Sequence, residues 1–108
     1  MQDNAAKPAP APSYSAPALV RFATDVLTRA GMAPEPARSV ARTLVDGDLL
    51  GHDTHGLALL AGYVKEVEAG TMRGEGAPQV ISDRPAAVLW DGQRLPGPGL
   101  VHRGIDLL

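Results

Sequence analysis

Three stretches of this chain carry apolar residues at steps of three and four, and a glycine follows each stretch. That spacing gives a helix one face to bury, and glycine readily adopts the left-handed conformation that ends a helix. The first helix is predicted to begin after Ser15, a favourable N-cap with Pro17 in the first turn, and to end at Gly31. Its buried face would be formed by Leu19, Phe22, Ala23, Val26, Leu27 and Ala30.

The second predicted helix is entered through Pro34 and Pro36, because proline is tolerated in the first turn of a helix and not further inside. It fades at Gly47 or stops at Gly51. One face carries Ala37, Val40, Ala41, Leu44, Val45 and Leu49, and the opposite face carries Arg38, Arg42 and Asp46.

The third predicted helix takes Asp53 or Thr54 as its N-cap and runs to Gly70. Its apolar stripe consists of Leu57, Leu60, Ala61, Val64 and Val67. Together the three helices would form a helical layer over residues 18–70.

After Gly70 the helical spacing of apolar residues ends, and short runs of residues that favour β-strands follow. Strands are predicted at Gln79–Ser82 and Ala86–Trp90, with residues 83–85 as their connection and Asp91-Gly92 as a turn. A last amphipathic run, on Leu100, Val101, Ile105 and Leu108, predicts a helix. The predicted fold class is therefore α/β (α+β): an N-terminal layer of three helices, followed by the first strands and helix of a truncated α/β body.

Composition limits the classes of function. Residues 1–16 are rich in alanine and proline and predict a disordered tail, which leaves residues 17–108 as an incomplete domain. The net charge of −2 gives no electrostatic case for binding nucleic acid. No apolar run approaches the about 20 residues that span a bilayer, and no secretory signal is recognisable, so no membrane partner and a cytoplasmic location are expected. The absence of cysteine excludes a disulfide scaffold and a thiolate zinc site.

The strongest candidate for a functional site is the helix junction that carries His52, Asp53, Thr54 and His55. With Thr54 as the cap, His55 would lie in the first turn of the third helix, near the positive end of its dipole. That position disfavours the imidazolium form and leaves a neutral ring, which can accept a proton from a hydroxyl or polarise a carbonyl. Asp53 could orient either imidazole through its Nδ1–H.

Tyr63 lies eight residues after His55, about 80° around the helix axis and roughly 12 Å along it, so it could line the same pocket. Simpler structural interpretations stay open at this point. His55 could be a surface or capping residue, Tyr63 an amphipathic edge residue with its hydroxyl in water, and His102 an exposed helix residue.

Two other kinds of site are not supported by the spacing of the residues. A metal site is not predicted, because zinc usually takes three or four protein ligands and His52, Asp53 and His55 have no second cluster to join them. Gly97-Pro98-Gly99 precedes a helix but lacks the lysine and the glycine spacing of a phosphate loop.

At the histidine segment the chain resembles the malate/L-lactate dehydrogenase family, which includes ureidoglycolate dehydrogenase and piperidine-2-carboxylate reductase. The family signature of Ser-His-Gly, an aliphatic residue and a later tyrosine appears here as Thr54-His55-Gly56-Leu57 with Tyr63. The resemblance continues through Glu68–Met72 and Ala86–Gly92, so it covers residues 18–108 in consistent order. Thr54 replaces the usual serine, and Leu59 stands where an arginine often pairs with a substrate carboxylate.

The resemblance implies an NAD(P)-dependent oxidoreductase, without a conventional Rossmann domain, that acts on small 2-hydroxy or 2-oxo acids or their cyclic imino analogues. It implies that His55 is the catalytic proton donor–acceptor and that Thr54 and Tyr63 bind the substrate. This chain is then expected to be an N-terminal part, inactive alone, of a protein that forms a homodimer. The residues that bind its cofactor, NAD or NADP, are unknown. The alternative is a non-enzymatic helical interaction module.

Overall fold

A computed structural model describes residues 12–108 and contains four α-helices, two short 3₁₀ turns and one β-hairpin. The predicted tail therefore lies outside the described residues, apart from positions 12–16. In chain order the elements are α1 (Ala16–Ala30), α2 (Pro34–Leu49), the 3₁₀ turns (Asp53–His55 and Leu57–Leu59), α3 (Leu60–Ala69), β1 (Gln79–Arg84), β2 (Ala87–Asp91) and α4 (Gly97–Asp106). The mixed α/β class is confirmed. Among the described residues, no helix combines the length and the apolar character needed to cross a membrane.

The first two helices follow their predicted signals. Ser15 Oγ accepts a hydrogen bond from the N–H of Ala18 at 3.2 Å, and Gly31 ends α1 with a left-handed φ of 118°. Helix α2 starts at Pro34, passes through Gly47 and ends just before the left-handed Gly51. These ends were predictable because caps and glycine stops act over one turn of chain.

Helix α2 is the centre of the structure, since α1, α4 and both 3₁₀ turns pack on it. The core cluster is formed by Leu27, Met32, Ala37, Val40 and Leu44, and the half-buried residues packed against it are Leu57, Leu60, Tyr63, Val64, Val67 and Met72. Three predicted members of the apolar stripes are exposed: Phe22 by 59%, Leu49 by 67%, and Ala61. Those predictions were wrong because the apolar stripe of each helix is wider than the part of the helix surface that neighbouring elements cover.

The start of the third helix also differs from the prediction. Residues 53–55 and 57–59 form the two 3₁₀ turns, and neither Asp53 nor Thr54 caps α3, which begins only at Leu60. The extended backbone of Gly56, at φ −107° and ψ −156°, interrupts the helical path between the two turns.

The strands form an antiparallel hairpin with a two-residue turn at Pro85-Ala86. Strand β1 is two residues longer than predicted, because Asp83 and Arg84 pair with β2 instead of belonging to the connection. The register shifts between Val80 and Ser82. Strand β2 lies one residue later than predicted, so Asp91 ends the strand and the turn itself lies at Gln93-Arg94. The Asp91 carboxylate accepts a hydrogen bond from the N–H of Gln93 at 2.9 Å.

Candidate functional site

His55 is the last residue of the first 3₁₀ turn and is exposed. Its ring Nδ1 lies 2.9 Å from the Oγ1 of Thr54, which is a hydrogen-bonding distance. A hydroxyl can donate or accept, so this contact is compatible with either neutral tautomer of the ring. The ring partner found in the structure is thus Thr54, where the sequence suggested Asp53.

The helix end beside His55 is not the one that the sequence suggested. His55 precedes the first residue of α3 by five positions, and the effect of a helix dipole fades within one turn. Its backbone instead packs against Gly47 near the C-terminal end of α2, where the helix carries partial negative charge. His55 therefore does not lie at the helix start from which the sequence predicted a neutral ring.

Two glycines allow the histidine segment to lie directly on α2. A Cβ added to Gly47 would collide with the carbonyl of His55, and a Cβ added to Gly56 would collide with the carboxylate of Asp48. That carboxylate also accepts a hydrogen bond from the N–H of Leu57 at 2.9 Å. Residues 55–57 are thus seated on the last turn of α2 by close backbone contact and by one charge-assisted hydrogen bond.

An open groove of about 550 Å³ runs along this contact. Its lining residues are Thr43, Asp46, Gly47, Leu50, His52, His55 and His102. Helix α4 packs on α2 and so brings His102 to the same groove as the two earlier histidines. Within residues 12–108, no group of three or more histidine, aspartate or glutamate side chains is arranged to hold a metal ion.

Tyr63 lies on α3 and packs against the core cluster, and it is not among the residues that line the groove of His55. Burial raises the pKa of the Tyr63 hydroxyl above its usual value, and the nearby carboxylate of Glu66 adds to the rise. The described residues do not form the shared pocket wall suggested by the sequence. The substrate-binding role of Tyr63 stays a prediction, as do the roles of His55 and Thr54.

Sequence reasoning missed Asp48 and the placement of His102. A signal for Asp48 was present, because an acidic residue in the last turn of a helix opposes the helix dipole and calls for a compensating partner. No comparable local signal existed for His102, which reaches the groove through the packing of α4 on α2.

An exposed histidine whose ring is hydrogen-bonded to a hydroxyl is chemically able to act as a general acid or base. The malate/L-lactate dehydrogenase family matches residues 14–108. The chain belongs to this family of oxidoreductases.

Individual relatives support the same assignment. The chain is 29% identical over 94 residues to hydroxycarboxylate dehydrogenase B of Escherichia coli O157:H7, a match that covers 87% of this chain and 26% of that protein. It is 28% identical over 82 residues to the malate/(S)-sulfolactate dehydrogenase of Methanothermus fervidus, covering 76% of this chain and 24% of that protein. The solved malate dehydrogenase of Pyrococcus horikoshii OT3 superimposes with a TM-score of 0.81 at 33% identity, over 85% of this chain and 26% of the other. The chain spans about a quarter of the length of these proteins.

Proposed function

We propose that this chain supplies the acid–base side of the active site in an oxidoreductase that acts on small 2-hydroxy or 2-oxo acids or cyclic imino acids. Family membership supports the oxidoreductase class. The observation that carries the proposal is the bond between Thr54 and the exposed His55, because it orients a proton-transferring ring towards open space. A bound NAD or NADP would accept or return the hydride at the substrate C2.

His55 would move the proton that accompanies that hydride. When a 2-hydroxy acid is oxidised, its C2 hydroxyl must lose a proton, and the Nε2 of His55 is the ring atom left to accept it once Nδ1 is bonded to Thr54. In the reverse direction the same atom returns the proton to the C2 oxygen or imine nitrogen.

Thr54 would form hydrogen bonds with both the His55 ring and the substrate. A hydroxyl has one proton to donate and two lone pairs, so Thr54 can accept from the Nδ1–H of His55 in both the neutral and the charged ring. Its own proton is then free to bind a substrate oxygen. Tyr63, one turn into α3, packs against the core cluster and does not line the groove of His55, so its proposed substrate contact rests on the family resemblance alone.

The nicotinamide itself is not assigned to residues of this chain. The Gly97-Pro98-Gly99 stretch opens α4, but Pro96 and Pro98 lack the backbone N–H groups with which a helix start binds phosphate. The cofactor, the identity of the acid and a homodimeric assembly therefore belong to the proposal for the whole enzyme.

A chimera tests the proposal. Residues 14–108 would replace the matched segment of the Escherichia coli hydroxycarboxylate dehydrogenase B, and oxidation of NADH or NADPH would be followed with a panel of 2-oxo acids. We expect activity in the chimera and a loss in kcat of roughly 10²–10⁴-fold in His55→Ala, the usual contribution of a general acid–base group. The 108-residue chain alone is expected to show no turnover.

His52→Ala is the matched control, because it removes an exposed histidine of the same groove three residues away. The control should retain most of the activity. A His55→Ala chimera that unfolds at the same temperature as the parent and keeps its kcat would refute the acid–base role. A parent chimera that folds but is inactive would refute the proposal that residues 14–108 supply the acid–base group.

A further inference from the structure

We propose that Asp48 is a positioning residue for His55. This inference rests on the acid–base role proposed for His55, and it concerns how the ring is kept in place. Asp48 lies in the last turn of α2, and its Oδ2 accepts the N–H of Leu57 at 2.9 Å. Leu57 starts the second 3₁₀ turn, two residues after His55.

The charges at the C-terminal end of α2 support this positioning role for Asp48. The end of α2 carries Asp46 and Asp48 and no basic residue in its last turn, although a helix C-terminus disfavours negative charge. A half-buried carboxylate in that position needs a donor, and the N–H at the start of the second 3₁₀ turn is one that its own turn leaves unpaired. Asp48 therefore caps the second 3₁₀ turn from nine residues earlier in the chain.

The steric contacts place the same carboxylate next to His55. Gly56, the residue after His55, is buried, and the Asp48 side chain fills the space where a Cβ at position 56 would lie. On the other side, Gly47 lies against the His55 carbonyl, and its own carbonyl accepts the N–H of His52 at 2.9 Å. The backbone on both sides of His55 is thus held to α2, while the ring is oriented by Thr54.

Asp48 would therefore act on His55 through the backbone and without touching the ring. Removing the carboxylate should release the N–H of Leu57 and loosen the segment that carries Thr54 and His55. The ring would then lose its fixed hydrogen bond even though Thr54 is unchanged.

The first test uses the 108-residue chain and needs no turnover. In Asp48→Ala, we expect amide hydrogen exchange at Leu57 to rise on the order of tenfold to a hundredfold, as expected for loss of a hydrogen bond to a charged group. The chemical shifts of the His55 ring nitrogens should move to those of an imidazole that has no fixed hydrogen bond and averages freely over its orientations. Asp48→Asn keeps an acceptor of nearly the same shape and should restore both signals in part.

A double-substitution cycle separates positioning from a general loss of stability. Gly56→Ala should disturb the His55 signals in the parent chain, because its Cβ would meet the Asp48 carboxylate. In the Asp48→Ala background the same substitution has room and should cause a smaller further change. Gly62→Ala is the matched control, since a Cβ at that position of α3 points into open space, and it should leave His55 unchanged in both backgrounds.

In the chimera, Asp48→Ala should lower kcat more than Asp48→Asn does, with the KM for the nicotinamide unchanged. Unaltered Leu57 exchange and unaltered His55 ring shifts in a folded Asp48→Ala chain would overturn the inference, as would additive effects of Asp48→Ala and Gly56→Ala. A third outcome separates the two proposals. If the effects of Asp48→Ala and Gly56→Ala are non-additive while His55→Ala leaves the chimera active, the proposed function fails. The structural link between Asp48 and His55 then stands.

Discussion

At the scale of single residues, the chemistry proposed for this chain depends on two adjacent side chains, Thr54 and His55. Neither lies in an α-helix, and both are exposed, so the hydrogen bond between them is the feature that orients the ring. Asp48 and the two glycines then fix the backbone beneath the pair. Reactive side chains on a short turn gain a defined geometry in this way without being buried.

The hydroxyl of Thr54 gives a prediction at this scale. Replacing Thr54 by Val keeps the shape of the side chain and removes both the partner of Nδ1 and the proposed bond to the substrate. We expect kcat of the chimera to fall at least about tenfold, since each lost hydrogen bond is worth on the order of 1 kcal/mol. Thr54→Ser keeps the hydroxyl and should retain most of the rate.

Thr43→Val is the control for that measurement, since Thr43 lines the same groove and the described structure shows no bond between it and the His55 ring. Equal rates for the valine and serine variants at position 54 would contradict the prediction.

At the scale of elements, α3 connects the site to the core. Its inner face packs on the core cluster through Tyr63, Val64 and Val67, and the two 3₁₀ turns before it reach back onto α2. Burial and the carboxylate of Glu66 both raise the pKa of Tyr63. The phenol therefore loses its proton at a higher pH than a free tyrosine does, so its titration reports whether α3 is packed on the core.

Tyr63 gives a prediction for alkaline pH. In a Tyr14→Phe chain, where Tyr63 is the remaining tyrosine, tyrosinate absorbance should appear with a midpoint above the usual value of about 10. Glu66→Gln should lower that midpoint, because it removes the second cause of the shift. A midpoint at or below the usual value would show that α3 is not packed on the core.

The raised pKa of Tyr63 also determines how the stability of the fold changes with alkaline pH. With the pKa raised in the folded state, the unfolded chain releases the phenolic proton first, so the contribution of Tyr63 is complete below about pH 10 and is lost as the pH rises towards the folded pKa. Denaturant unfolding should show a smaller alkaline loss of stability in Tyr63→Phe than in the parent chain.

At the scale of the whole molecule, the apolar surface is unevenly covered. The core lies between α1, α2 and α3, whereas the hairpin exposes Val80 by 56%, Ile81 by 55% and Leu89 by 58%. A two-stranded sheet cannot bury its own faces and has two open edges, which are ready templates for pairing. Helix α4 adds Val101 and Ile105 to the exposed apolar surface.

We therefore expect the isolated chain to self-associate through residues 78–108, or to keep that region loosely ordered, while residues 18–70 stay helical. Size-exclusion chromatography over a range of concentrations, combined with hydrogen exchange, measures both properties. Ile81→Lys should reduce self-association, because it places a charge on the exposed hairpin.

Ala69→Lys adds the same charge to an exposed position of α3 and should not change self-association. A monodisperse monomer with strongly protected amides at residues 86–90 would contradict this prediction.

Local chemistry explains the part of the fold that was predictable from the sequence. The Ser15 cap, the Gly31 stop and the entry through Pro34 each depend on a few neighbouring atoms, and all three are present as predicted. A turn after β2 was recognisable for the same reason, although it lies at Gln93-Arg94 and not at Asp91-Gly92. The sequence also pointed to the segment of His55 and to its family, because the motif is continuous in the chain.

The remaining features depend on which elements meet, and the sequence alone determined none of them. Gly56 interrupts the expected third helix with an extended backbone, and the Asp48 carboxylate lies where a Cβ at this position would be. His102 reaches the groove of His55 because α4 packs on α2, and Phe22 stays exposed because no described element covers that part of α1. Contacts between residues distant in the chain set these positions, and the spacing of residues along one helix carries no record of the neighbour that will pack against it.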